Sequence, residues 1–282
     1  MATALITGAS AGLGLEFAWQ LATARHDVVL VARDADRLEH LAGQLSAAAG
    51  VRAEVLPADL ADRTQTERVA ERLRDRNRPV SLLVNNAGFG MGGQFVGGDL
   101  ATHERGLDVM VRAVLVLSHA AAGAMVDRGR GAILNVSSIA ALTAVGTYSA
   151  DKAWVRIFTE VLAVELRGTG VTATALCPGL VHTEFHQRAG IERPEAPELA
   201  WLNADQVVSA ALADVRRGVV ISTPSLRYAV ASGLARMMPR RVIRAVSGGL
   251  AQRDTGQDDE RSAGADAASA DTDAASGGRT AD

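Results

Sequence analysis

Tyr148 and Lys152 stand four residues apart within Thr147–Arg167, whose apolar period predicts a helix, so both side chains fall on one face. A phenol titrates near pH 10 and is a poor proton donor or acceptor at neutral pH unless its surroundings shift it. A neighbouring ammonium stabilises the phenolate and lowers that pKa. Lysine suits the task better than arginine, which does not give up its proton and presents a bulkier group. Of 29 lysines and arginines, 28 are arginine, and the one lysine sits at helical spacing from one of two tyrosines. Ser138, at the end of a predicted strand, can hydrogen-bond the oxygen of a carbonyl that Tyr148 protonates; its plain alternative is a cap. Such a trio exchanges a proton at a carbonyl or alcohol oxygen.

A different chemistry lies in Thr7–Gly14, Thr-Gly-Ala-Ser-Ala-Gly-Leu-Gly, between a short β-rich run and an apolar-periodic stretch with Leu15, Ala18, Leu21 and Ala22. Strand, glycine turn and helix is the layout in which backbone N–H groups at a helix N-terminus hold a pyrophosphate. Gly8 permits the turn, Gly12 lets the backbone approach the phosphates, and Gly14 lets the helix pack close to the strand. No Lys-Ser/Thr pair follows, so this is not the nucleoside triphosphate loop. A glycine-rich turn holding nothing is the bland alternative.

The elements that must position these groups follow in order. Asp27–Ala32 is a continuous apolar run of the kind a strand buried on both faces shows. Asp34 caps a helix carrying Leu38, Leu41 and Leu45, Arg52–Pro57 is a third strand, and Asp62–Asp75 a helix. Val80–Val84 leads into Asn85-Asn86-Ala87-Gly88, and Phe89–Gly98, with five glycines, reads as a mobile loop rather than a second phosphate cradle. His103–Asp127 is a long helix, Ala132–Val136 a strand ending at Ser137-Ser138, and Val171–Cys177 a strand stopped by Pro178-Gly179. Ala204–Arg216 is a helix and Val219–Ser222 a last strand. Strands alternating with crossover helices predict an α/β fold, a parallel sheet with helices on both faces.

At 48% hydrophobic and 22% charged the chain can bury one sizeable core, over residues 1–250. The Ala/Asp/Ser/Gly-rich residues 251–282 read as a disordered tail. A net charge of −3 gives no reason to expect nucleic acid or an anionic membrane. Single Cys177 excludes an internal disulfide and reads as a small buried apolar residue. With no leader and no uninterrupted apolar run of about 18 residues, a cytoplasmic protein without a membrane span is expected. Ser225–Val246, apolar with five arginines, reads as packing on the domain or a sister subunit in preference to a membrane surface. His182 and His186 flank Glu184, but no third ligand is evident and no metal is expected. Asp151 reads as a solvated neighbour of Lys152.

Taken together, Thr7-Gly8-x-x-x-Gly12-x-Gly14, Asn86-Ala87-Gly88, Ser138, Tyr148-x-x-x-Lys152 and Pro178-Gly179, in this order, resemble the short-chain dehydrogenase/reductase superfamily over Met1 to about Gly249. The resemblance implies a Rossmann-type doubly wound sheet of about seven strands that binds a nicotinamide dinucleotide. It implies that Gly8, Ser10, Gly12, Leu13 and Gly14 hold the pyrophosphate and adenosine ribose. Asp59 and Leu60 would flank the adenine, and Asn86, Ala87 and Gly88 would line the cleft. Pro178, Gly179, Val181 and Thr183 would hold the nicotinamide end, with Tyr148 and Lys152 gripping its ribose. A homodimer or homotetramer built on the two long helices is implied, with Val114, Leu117, Trp154 and Phe158 serving that face or the core.

At the end of the second strand, NAD enzymes usually carry a carboxylate for the ribose hydroxyls. Here Ala32 is followed by Arg33, whose fork suits a phosphate, so NADP(H) is expected over NAD(H). Two departures stand out. Met110 occupies the place where the family usually has an asparagine, and a thioether is only a weak acceptor. The Ser138–Tyr148 connection is shorter than in many relatives. The expected function is NADP(H)-dependent interconversion of a small-molecule carbonyl and an alcohol, with Ser138, Tyr148 and Lys152 catalytic. The alternative is an NADP(H)-binding regulatory or scaffold protein, slowed by Met110.

Overall fold

The computed structural model describes residues 2–91, 94–184 and 197–248. Seven parallel strands form one sheet: β1 (Thr3–Thr7), β2 (Asp27–Ala32), β3 (Ala53–Pro57), β4 (Leu82–Asn85), β5 (Gly131–Val136), β6 (Val171–Leu176) and β7 (Ile221–Ser222), in the spatial order β3-β2-β1-β4-β5-β6-β7. Their apolar runs are continuous because side chains alternate between two cores. Ala4, Ile6, Val28 and Leu30 enter one, and Leu5, Val29 and Val31 enter the other.

The first core is closed by α1 (Gly12–Thr23), α2 (Ala35–Ala49) and α7 (Ala204–Arg217). The second is closed by α3 (Arg63–Arg74), α5 (Ala113–Val126) and α6 (Gly146–Glu165), with α4 (Leu100–Leu107) leading into α5. Helix α8 (Leu226–Met237) and a last helical segment over 240–248 follow β7. Carboxylates start three helices: Asp34 accepts from the Arg37 N–H, Asp62 from that of Gln65, and Asp99 from those of Ala101 and Thr102. The 27-residue Leu100–Val126 run is apolar enough to cross a membrane by length and composition, but its α5 part packs against α3 and the sheet.

That run departs from the expected uninterrupted helix. Residues Asp108–Arg112 form a π turn between α4 and α5, with Met110 inside it. One extra residue per turn leaves the apolar pattern readable as helix while the backbone widens, a deviation frequent at functional sites. The predicted disordered tail, and His186, lie outside the described residues.

Candidate active site

The strand order reverses between β1 and β4, and a cleft opens there at the C-terminal ends of the strands. Its volume is about 710 Å³, within the range of small-molecule and cofactor sites. Every residue expected to touch the dinucleotide lines it, with one exception. Gly14 is buried behind the loop: a Cβ there would lie 2.1 Å from the Gly8 oxygen and 2.5 Å from Asn86 Nδ2. Gly14 therefore lets α1 approach the turn, while Gly8, Ser10, Gly12 and Leu13 face the cleft.

The turn is held from the neighbouring strand. Thr7 Oγ1 accepts from the Asn86 and Ala87 N–H groups at 2.9 and 3.0 Å, and Asn86 Nδ2 donates to the Thr7 carbonyl at 2.9 Å. Gly8 has φ +66°, and a Cβ would meet Asn86 Nδ2 at 2.9 Å. Gly12, the first residue of α1, faces Thr183 across the cleft. Among the described residues no side chain caps α1, and its first residues, Gly12 and Leu13, line the cleft, so its leading N–H groups open toward an anion there. An uncapped helix start and glycines whose Cβ atoms would crowd the turn suit a dinucleotide.

Ser138, Tyr148 and Lys152 meet on the facing wall. Ser138 Oγ accepts from the Ala140 N–H at 3.1 Å, capping a short 3-10 turn (Ile139–Leu142), and lines the cleft together with Tyr148. The hydroxyl that the sequence offers as a cap or as a substrate contact caps this turn and lines the cleft. Ser137 Oγ donates to the Lys152 carbonyl at 2.7 Å and fastens α6 to the end of β5. Lys152 Nζ donates to the Val136 carbonyl at 2.9 Å and lies 5.6 Å from the Tyr148 ring centroid.

These contacts correct one expectation. Burial pushes the Tyr148 phenol above its ordinary range; the Ser138 hydrogen bond pulls it down and the Asp151 charge pushes it further up. Lys152 Nζ, turned to the Val136 carbonyl, does not offset that burial here, and Tyr148 is held as the protonated acid. Burial also pulls Lys152 down to about 8, Asp151 and Cys177 opposing.

Asp151 is the second correction. It is only 4% exposed rather than solvated, and its Oδ2 has no hydrogen-bond partner. Burial lifts its carboxyl to about 6, against the pull of Lys152 and His103. Met110 is buried, and its Sδ and the Lys152 Nζ would lie 3.3 and 3.5 Å from a Cβ at Gly88. The thioether thus packs where Gly88 brings the Asn86–Gly88 turn against the lysine.

Arg33 lies at the other end of the cleft, and Arg37 joins it, four residues along the first turn of α2. Asp34 is spent on its cap. Leu60 and Asp59 line this end, and Asp59 takes both oxygens of its carboxylate to Arg105 Nη2 at 3.1 and 2.8 Å. Burial raises the Asp59 carboxyl, but the Arg105 hydrogen bonds and charge hold it below the usual range. Sequence reasoning missed Arg37 and Arg105. The first could have been found from its spacing to Arg33; the second is brought in from α4 through space and has no local signal.

Beyond β6, Pro178, Gly179, Val181 and Thr183 line the cleft beside Ser138. Gly179 is pressed by Tyr228, whose ring carbon would lie 2.1 Å from a Cβ there. The Tyr228 hydroxyl donates to the Ala200 carbonyl at 2.6 Å and accepts from the Leu180 N–H at 3.3 Å. His182 pairs with Glu198 at 2.9 Å, and Cys177 is buried.

Residues 2–193 match the short chain dehydrogenase family. A ketoacyl reductase, HetN, of Nostoc sp. is 32% identical over 216 residues, 74% of this chain and 73% of that protein. A short-chain dehydrogenase from Sphingobium yanoikuyae in complex with NADPH superposes with a TM-score of 0.77 at 35% identity, over 84% of this chain and 94% of that one. One from Burkholderia phymatum in complex with NAD gives 0.72 at 26% identity, over 83% and 92%.

Proposed function

This chain belongs to the short-chain dehydrogenase family, and from that premise we propose that it is an NADP(H)-dependent oxidoreductase interconverting a ketone or aldehyde and an alcohol. One observation carries the reading. Across a single cleft, Ser138 and Tyr148, with Lys152 Nζ 5.6 Å from the phenol ring centroid, face the N-terminus of α1.

A nicotinamide bound along the cleft supplies or takes the hydride. Ser138 orients the substrate oxygen by hydrogen bonding. Tyr148 gives its hydroxyl proton to that oxygen in reduction and takes it back in oxidation. Lys152, an ammonium at neutral pH, stabilises the phenolate as it forms and reaches the ribose. Gly8, Ser10, Gly12 and Leu13 hold the pyrophosphate, Asp59 and Leu60 flank the adenine, and Asn86, Ala87 and Gly88 line the path. Pro178, Gly179, Val181 and Thr183 bound the nicotinamide end.

NADP(H) is favoured by Arg33 and Arg37 at the mouth, where Asp34 is engaged as a cap and Glu184 lies 3.9 Å from Arg37. The Sphingobium neighbour's NADPH supports this preference; the Burkholderia neighbour's NAD runs against it. The enzyme is proposed to work in the cytoplasm as a homodimer or homotetramer. The exposed Leu115, Ile157, Val161 and Val164 on α5 and α6 serve the contact, because Val114 and Leu117 are spent on the core. The scaffold alternative rests on Met110. The convergence of Ser138, Tyr148 and Lys152 on the cleft favours catalysis over it, since cofactor binding alone has no need of Ser138.

Initial rates with NADPH and NADH test the cofactor assignment. Wild type should prefer NADPH, and Arg33→Ala should lower kcat/KM for NADPH about tenfold or more, the worth of a charge-assisted hydrogen bond, with NADH little changed. A wild-type preference for NADH would overturn it.

A further inference from the structure

Helix α8 is apolar on two opposite sides. Tyr228, Ser232 and Ala235 face the domain, where Tyr228 packs on Gly179 behind the cleft wall. Leu226, Val230, Leu234 and Met237 fall at i, i+4, i+8 and i+11 on the far side. They form a stripe, with Leu226 81% and Met237 85% exposed. Val242 and Val246 continue the exposed apolar surface onto the helical segment 240–248, whose Ile243 and Ser247 are turned inward. Solvent rarely meets so many large apolar side chains together on a surface without a partner.

Charge identifies the partner. Residues 218–252 contain five arginines and no carboxylate, although the whole chain is net −3. Arg227, Arg240, Arg241 and Arg244 are exposed beside the stripe. A second copy seated on the same patch would bring arginine against arginine. The sequence from 251 onward has eight carboxylates against three arginines, so its charge matches, but it carries no large apolar side chain to fill the stripe. An apolar stripe rimmed by arginines complements the headgroup region of an anionic bilayer, which offers acyl chains and negative charge together. We propose that the outer face of α8 and the segment 240–248 dock the enzyme peripherally on an anionic lipid surface. The net charge, averaged over the chain, conceals this.

Co-sedimentation of the full chain with vesicles tests it, using phosphatidylcholine alone and phosphatidylcholine mixed with phosphatidylglycerol. Binding to the anionic vesicles at low salt, reversed by high salt, is expected. Leu226→Glu/Leu234→Glu and Arg240→Glu/Arg241→Glu should each weaken partitioning at least tenfold while NADPH binding, followed by fluorescence, is unchanged. No binding to anionic vesicles, equal binding to both vesicle types, or binding unchanged in both variants overturns the proposal. So does a lipid-free oligomer that Leu226→Glu/Leu234→Glu dissociates, which would make the stripe a contact between copies.

Discussion

Asp151 adjoins Lys152, yet its side chain is buried with one oxygen unpartnered, an arrangement that costs free energy whenever the group is ionised. Its folded pKa of about 6 lies above the ordinary carboxylate value of 3.8. Between those values the folded state holds a proton that the unfolded chain has released. Stability is therefore greatest below the unfolded pKa and falls as pH rises through about 6, in total by roughly 2–3 kcal/mol. Asp151→Asn removes the charge but keeps the shape. It should raise neutral-pH stability by about 1–2 kcal/mol and flatten the slope between pH 4 and 6, read by urea denaturation at several pH values. A less stable Asn variant at neutral pH would show that the ionised carboxylate is favourable where it lies. Sequence alone placed Asp151 on a solvated face because helical period counts one buried stripe, whereas α6 is covered both by the sheet and by α4 and the π turn.

The same contrast between local and long-range causes holds for whole elements. The strands were legible because burial on both faces writes continuous apolar runs, as in Val28–Val31, and the Asp34 cap was legible because it acts within three residues. The π turn at Asp108–Arg112 was not, since one added residue leaves the apolar pattern helical. Nor were Arg105 on Asp59 or Tyr228 on Gly179, which join segments far apart in the chain. Gly14 shows how closely one element must approach another. Gly14→Ala puts a methyl into the Gly8 carbonyl, so α1 must move off the turn. The variant should lose about 3 kcal/mol or more and bind NADPH at least tenfold more weakly, measured by thermal unfolding and fluorescence titration. Gly43→Ala, in the interior of α2 with open space around the added carbon, should instead gain about 0.5–1 kcal/mol. Equal effects at the two sites would mean that helix propensity, not the fit of α1 to the turn, governs Gly14.

At the scale of the molecule, the sheet order brings three sequence-distant pieces to one crevice: the turn after β1, the Ser138 turn after β5, and the Tyr148–Lys152 face of α6. Most of this was readable in sequence because each piece carries its own local signature, and the reversal of strand order at β1 and β4 assembles them. This assembly is proposed to reduce carbonyls through the Tyr148 hydroxyl. The most direct measurement is NADPH oxidation over a panel of ketones, aldehydes and diketones by wild type and Tyr148→Phe, with NADPH binding measured on both. Wild-type turnover, a fall in kcat of about a hundredfold or more in Tyr148→Phe, and similar NADPH affinity in the two proteins are expected. Turnover by Tyr148→Phe at the wild-type rate would contradict that proposal.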